Sequence, residues 1–247
     1  LNNLLKKPLI MYLLVTFIVV SCILVFLFRN NLKVLIYRII YGDYHINYLN
    51  LFYRKDGYSD ANYYAKSDLY NQVSLIRSAL NKQEKESTKE PLFFQNIEFG
   101  IGTKKLTYIL GKPISCDVLD INSRKVVSLE YYIQAHNVVD KYVFYFLDDA
   151  YYFGEFIFNK VNESISNQVL DRIVAKYDCK TAENSELLIH NSNGNNLLYK
   201  DFGFRISVSY FNKNHHCILE LLKEQEDFRV KMKSSYTYEL DVQQLSF

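Results

Sequence analysis

At 247 residues the chain has room for one large domain or two small ones. Its 29 basic and 27 acidic residues leave a formal net charge of +2, which argues against a nucleic-acid partner, because such binding rests on a clustered positive field. Four scattered cysteines are too few for a disulfide scaffold or a zinc ribbon, while 22 Tyr and 17 Phe beside only 3 Pro favour pleated, half-buried strands.

The chain opens on Leu1 rather than Met, which reads as a fragment edge or an unusual initiation codon. From Pro8 to Phe28 there are 21 residues without a charge, flanked by Lys6, Lys7 and Arg29. A helix of that length rises roughly 31 Å, close to an about 30 Å hydrocarbon core. Residues 8–28 are therefore expected to contact membrane lipid as an N-terminal transmembrane helix. Val19-Val20-Ser21-Cys22 also has the form of a lipobox, making Cys22 a lipidation candidate in a cleaved lipoprotein. The apolar run continues through Ile23-Leu24-Val25-Phe26-Leu27-Phe28, where a lipoprotein would turn to a polar tether, and this favours an uncleaved signal anchor. Basic residues tie across the two flanks. A short N-terminus with two lysines is expected to stay inside, giving a single-pass protein with an extracytoplasmic domain.

Residues 30–90 read as a juxtamembrane helical region ending in a charged linker. Leu32, Leu35, Ile36, Ile39 and Ile40 recur at helical spacing, and Tyr37, Tyr41, Tyr44 and Tyr48 suit either a headgroup-level belt or packing against the domain. Ser67 precedes a helical pattern carrying Leu69, Val73, Ile76 and Leu80 on one face. The run Asn81 to Pro91 is charged and poor in apolar residues, the expected linker.

From residue 91 to 247 the pattern predicts an α+β domain. Leu106 to Leu110 form a short helix stopped by Gly111 and Pro113. Three strands follow, the last two a hairpin around Asp148-Asp149-Ala150. A second helix spans Ile165 to Tyr177. Strands are then expected over Ser185–His190, Leu197–Phe211 and His215–Leu222, the last pair hinged at Asn212-Lys213-Asn214. An offset of 64 carries Leu106, Ile109 and Leu110 onto Leu170, Ile173 and Val174, and Tyr142, Phe144 and Phe146 onto Ile206, Val208 and Tyr210. It suggests a duplicated helix-plus-strands unit, residues 100–160 and 164–222. The expected architecture is one antiparallel sheet with helices on one face.

Gly100, Leu106, Leu110, Gly111 and Pro113, with Thr103 as the cap, resemble the opening helix of the small β-barrel-assembly lipoprotein domain family (BamE-like, also called SmpA/OmlA). A tandem of such units is similar to the β-lactamase-inhibitor-protein fold. The resemblance implies an anchored extracytoplasmic binding protein without catalytic activity. The second unit departs from it, with Val174-Ala175-Lys176-Tyr177 where the L-G-x-P signature would fall.

No phosphate loop, dinucleotide fingerprint, G-x-S-x-G elbow or H-E-x-x-H pair occurs, so no catalytic residue, cofactor or metal is expected. His215-His216-Cys217 is the nearest approach to a metal constellation, perhaps with His190. On a strand His216 would point away from its neighbours. Asp148-Asp149 read as turn formers, and Cys116 and Cys179 as free thiols or a bridge across the repeat, with Cys217 as competing partner. Asn162-Glu163-Ser164 fits a glycosylation sequon. The function expected is protein binding through a sheet face or edge, in envelope assembly or partner inhibition, with Tyr151, Tyr152, Tyr210 and Phe211 as contact candidates. The rival readings are an enzyme with a dispersed site near His190, His215 and Asp149, and an immunity or stress-response protein that neutralises a partner.

Overall fold

A computed structural model describes residues 2–54, 61–82, 85–121, 123–135, 138–159, 161–179 and 185–227. Side chains are described for these residues except 2–10, 13, 22, 25, 27, 61–68, 70, 133–135 and 138–140. The chain divides into two compact units, Leu1–Tyr58 and Ser59–Phe247.

The first unit is helical: α1 (Asn2–Leu27), α2 (Arg29–Tyr41) and α3 (Ile46–Arg54). Among the described residues no helix is long and apolar enough to cross a membrane. That overturns the expected transmembrane helix, signal anchor and single-pass placement. Cys22 lies on α1, its side chain outside the described residues. The expected amphipathic helix is α2, which buries none of its residues. Its tyrosines pack on local neighbours: the Tyr37 and Tyr41 ring centroids are 5.3 Å apart, and Tyr41 stacks on His45 at 4.9 Å. Gly42, at φ +82°, ends α2 with its N–H donating to the Arg38 carbonyl.

The second unit begins with α4 (Ala61–Asn81), which starts six residues before the expected cap, so Ser67 lies mid-helix. Within the expected linker, β1 (Glu86–Ser87) joins the sheet. There follow α5 (Thr103–Leu110), β2 (Ser115–Ile121), β3 (Arg124–Ala135), β4 (Val138–Leu147) and β5 (Ala150–Asn159). Then come α6 (Glu163–Tyr177), β6 (Glu186–His190), β7 (Asn195–Asp201), β8 (Arg205–Asn212) and α7 over 216–227.

The eight strands form one sheet in the order β1-β6-β7-β8-β5-β4-β3-β2. All neighbours are antiparallel except β1 and β6, which run parallel. The sheet is therefore mixed, not antiparallel, because β1 comes from the segment before the helix-and-strand units. Helices cover both faces, not one. On one face the α4 residues Val73, Ile76 and Ala79 and the α7 residues Ile218 and Leu221 pack with Val143, Phe153, Leu198 and Phe211. On the other lie α5 and α6, where the Tyr177 hydroxyl is 3.3 Å from that of Tyr210 and Ser166 Oγ is 2.8 Å from Tyr199 Oη.

The 64-residue offset holds through the helices and one strand and then fails. Asp148 and Asp149, both at positive φ (50° and 67°), form the two-residue turn that returns the chain as β5. At the equivalent point, Asn212-Lys213-Asn214 leads into α7 instead of a strand. The physical reason is period: Cys217, Ile218, Leu221 and Leu222 recur at helical spacing and meet the core along one face.

Phe94 keys the α5/α6 face. It is fully buried, with ring centroids of Phe144 and Phe156 at 4.8 and 4.6 Å and of Tyr210 at 5.4 Å. Gly154 makes the room: a Cβ there would stand 2.3 Å from the Phe94 ring, so glycine admits the close approach.

Candidate functional site

The largest opening described is a cleft of about 950 Å³ between α4 and the sheet. Its floor follows from register. Asp117, Ser128, Glu130, Lys141, Glu155, Ser207 and Lys200 all lie on the α4 face of successive strands, where α4 and α7 leave the sheet uncovered. Lys141 Nζ donates to Glu130 Oε1 at 2.8 Å, and Arg205 Nη2 donates to Glu155 Oε1 at 3.3 Å. Ser207 Oγ donates to the same Glu155 oxygen at 2.5 Å and lies 3.1 Å from Ser209 Oγ. A carboxylate only 8% exposed, as Glu155 is, requires this satisfaction, since an unpaired buried charge is costly.

Two features of the cleft are not satisfied internally. Arg205 Nε is shielded from solvent and has no hydrogen-bond partner among the described residues. At the rim, the β7–β8 turn presents Phe202 and Phe204, the latter 74% exposed, with Lys200 Nζ 5.4 Å from the Phe202 ring centroid. Gly203, at φ +83° between them, makes the turn; its N–H donates to Asp201 Oδ1 at 2.7 Å. The cleft thus offers the part-exposed Arg205 guanidinium, an ionic floor and two aromatic faces to a polar ligand with apolar groups.

The contact candidates sit in the interior. Tyr151, Tyr152 and Phe211 are fully buried and Tyr210 is 5% exposed. Tyr151 stacks on Phe99 at 5.0 Å. Tyr152 Oη donates to Gln72 Oε1 of α4 at 2.7 Å. Burial pushes the hydroxyls of Tyr151, Tyr152 and Tyr210 above their ordinary range.

The residues of the dispersed-site reading are engaged separately. Asp149 Oδ1 accepts from Thr103 N at 2.8 Å and from Thr103 Oγ1 at 2.7 Å. It thereby satisfies the start of α5 from across the fold, whereas the N-cap position is Gly102 and Thr103 is the first helical residue. His190 Nδ1 lies 2.8 Å from the Glu86 carbonyl, beside a polar cavity of about 590 Å³ lined by neither His215 nor Asp149. Asn162 of the sequon caps α6, its Oδ1 accepting from Ile165 N at 3.0 Å. Cys116, Cys179 and Cys217 are free thiols.

Where a strand was expected, His215, His216 and Cys217 open α7. One ligand atom from each lies within 4.8 Å of the others. Burial, the largest influence, pushes the Cys217 thiol up to about 11 despite nearby Arg124.

The cleft was outside the reach of sequence reading, because its residues come from strands whose register a single sequence does not reveal. The one signal was Glu155, a lone carboxylate inside the otherwise apolar run YYFGEFIF. No family model, curated protein or solved structure matches the chain.

Proposed function

We propose that this chain is a non-catalytic protein-binding module that holds an extended segment of its partner in the cleft between α4 and the sheet. The observation that carries this reading is the pairing of a part-exposed Arg205 guanidinium on the floor with two exposed phenylalanines at the rim. A partner segment bearing a carboxylate would accept from Arg205, and its apolar side chains would cover Phe202 and Phe204. The two phenylalanines are surface-exposed and gain on desolvation. The floor carboxylates Glu130 and Glu155 are already paired, so a bound acidic group would face cations rather than free carboxylates.

The test is selection of peptides from a random displayed library against the full chain, followed by calorimetric binding of the winners. Acidic-plus-apolar sequences are expected to bind, with affinity falling at least about tenfold in Phe202→Ala/Phe204→Ala and in Arg205→Gln. Both phenylalanines are exposed turn residues, so the double variant keeps its fold, as circular dichroism would verify. Failure to select any binder, or binding unchanged in both variants, overturns the reading.

A further inference from the structure

We infer that His215, His216 and Cys217 form a zinc site at the start of α7, with two imidazoles and one thiolate as ligands and the fourth position open to water or a partner's side chain. Three observations carry it independently of the cleft. First, the turn at Asn212–Asn214 into α7 gathers three consecutive residues that a strand would have splayed to opposite faces: the two imidazole rings stack with centroids 4.6 Å apart, and one ligand atom from each residue lies within 4.8 Å of the others. Second, Cys217 Sγ is already 3.3 Å from His216 Nε2. Donors sharing a tetrahedral zinc stand roughly 3.3–3.6 Å apart, given bonds of about 2.0–2.1 Å to nitrogen and 2.3 Å to sulfur. The separation, at most 4.8 Å, must close by about 1.3 Å. Third, His215 Nδ1 is shielded from solvent yet has no hydrogen-bond partner among the described residues. The edge bearing Nε2 lies against Gly100, where a Cβ would stand 3.5 Å away. A bound cation satisfies an otherwise orphaned imidazole.

The donor set selects the metal class. Thiolate with imidazole suits Zn²⁺ among abundant divalent ions and excludes Mg²⁺ and Ca²⁺, which take oxygen ligands. On coordination the Cys217 S–H bond breaks, the sulfur–zinc bond forms, and the proton leaves to solvent with no change of oxidation state. His216 is exposed and the buried Cys217 sulfur contacts the Leu147 carbonyl at 3.7 Å, so zinc would enter from the His216 side.

The experiment uses the full chain purified without a histidine tag and stripped with chelator, titrated with zinc by calorimetry and with cobalt(II) by absorption. One zinc per chain is expected, with a thiolate-to-cobalt charge-transfer band in the near ultraviolet. His216→Ala, an exposed change that leaves the core intact, should weaken zinc at least tenfold. Cys217→Ser should abolish the charge-transfer band, and circular dichroism would establish that the variant is folded. Absence of stoichiometric zinc binding overturns the site. So does affinity unchanged in His216→Ala, or cobalt binding without a thiolate band, which would mark adventitious surface histidines.

Discussion

Tyr151 is where residue-level chemistry is least satisfied. Its side chain is wholly buried between Phe99, Phe144 and Phe146, yet its hydroxyl has no hydrogen-bond partner among the described residues. Its neighbour Tyr152 reaches the opposite face and pairs with Gln72. That divergence is ordinary alternation, but a β-bulge follows: Phe146 pairs with Tyr151 and Tyr145 with Phe153, so Tyr152 is the extra residue. Strict alternation would have placed Tyr152 opposite Phe153, whereas the bulge sends both toward α4 and α7. An unpaired buried hydroxyl costs about 1–3 kcal/mol, and removing it without leaving a partner stranded is neutral or favourable. Tyr151→Phe is therefore expected to leave unfolding free energy unchanged or to raise it by about 1 kcal/mol in denaturant titration. Tyr152→Phe, which strands Gln72 Oε1, serves as the destabilised control. A loss of more than about 1 kcal/mol in Tyr151→Phe would show that the hydroxyl is paired.

At the scale of elements, the β4–β5 turn is tied to α7 through one guanidinium. Arg124 Nε donates to Asp148 Oδ2 at 2.8 Å, Nη2 to Glu220 Oε2 at 2.7 Å and Nη1 to Glu224 Oε1 at 3.2 Å. Burial acts to raise the Asp148 carboxyl, but the Lys125 N–H and the Arg124 charge outweigh it and hold the group below the ordinary carboxylate range. A carboxyl depressed in the folded state contributes stability above its unfolded value, near 4, and loses it as pH falls through the folded value. The wild-type melting temperature is thus expected to drop as pH falls below about 4, with a shallower dependence in Arg124→Ala, whose loss at neutral pH should be about 1–2 kcal/mol for this exposed network. Parallel acid dependences of the two proteins would show that Arg124 does not set the Asp148 protonation. The same elements show what the sequence disclosed. The β4–β5 hairpin was legible because alternating aromatics flank two turn residues, and α5 because Gly111 and Pro113 stop it. Strand β2 escaped notice because Asp117 and Asp120 dilute its apolar signal, and α7 because an asparagine-rich turn before an apolar run reads equally as a hairpin. In α7 the helical spacing of Ile218, Leu221 and Leu222 was present but short. The charged floor of the cleft becomes one site only through cross-strand register, to which a lone sequence gives no access.

For the second unit as a whole, the decisive contact is between the middle strands. The segment α5-β2-β3-β4-β5 and the segment α6-β6-β7-β8 each form a helix followed by a meander, and β5 joins β8 from Phe153↔Phe211 to Asn159↔Arg205. This pairing merges two small units, each too small to bury a strong core alone, into one sheet, to which β1 adds the eighth strand. On the α4 side, Phe153 stacks on Phe211 across the seam, and on the other side Phe94 spans Phe144, Phe156 and Tyr210 from both halves. A core shared in this way makes the halves open together. Native-state hydrogen exchange should find the amides of β4, β5, β7 and β8 exchanging at one common, slowest limit set by global unfolding. The edges should exchange faster: β1 has two residues, and among the described residues β2 has no neighbour on its outer side. Mass-resolved exchange with increasing denaturant would measure this directly. Amides of β7 and β8 released well before those of β4 and β5 would mean that the halves unfold separately and that the seam is only a docking contact. A single limit would make the cleft, which lies across that seam on Glu155, Arg205 and Ser207, as rigid as the core beneath it. Binding there would then carry little ordering cost, and affinity would depend on Phe202, Phe204 and Arg205 rather than on folding of the site.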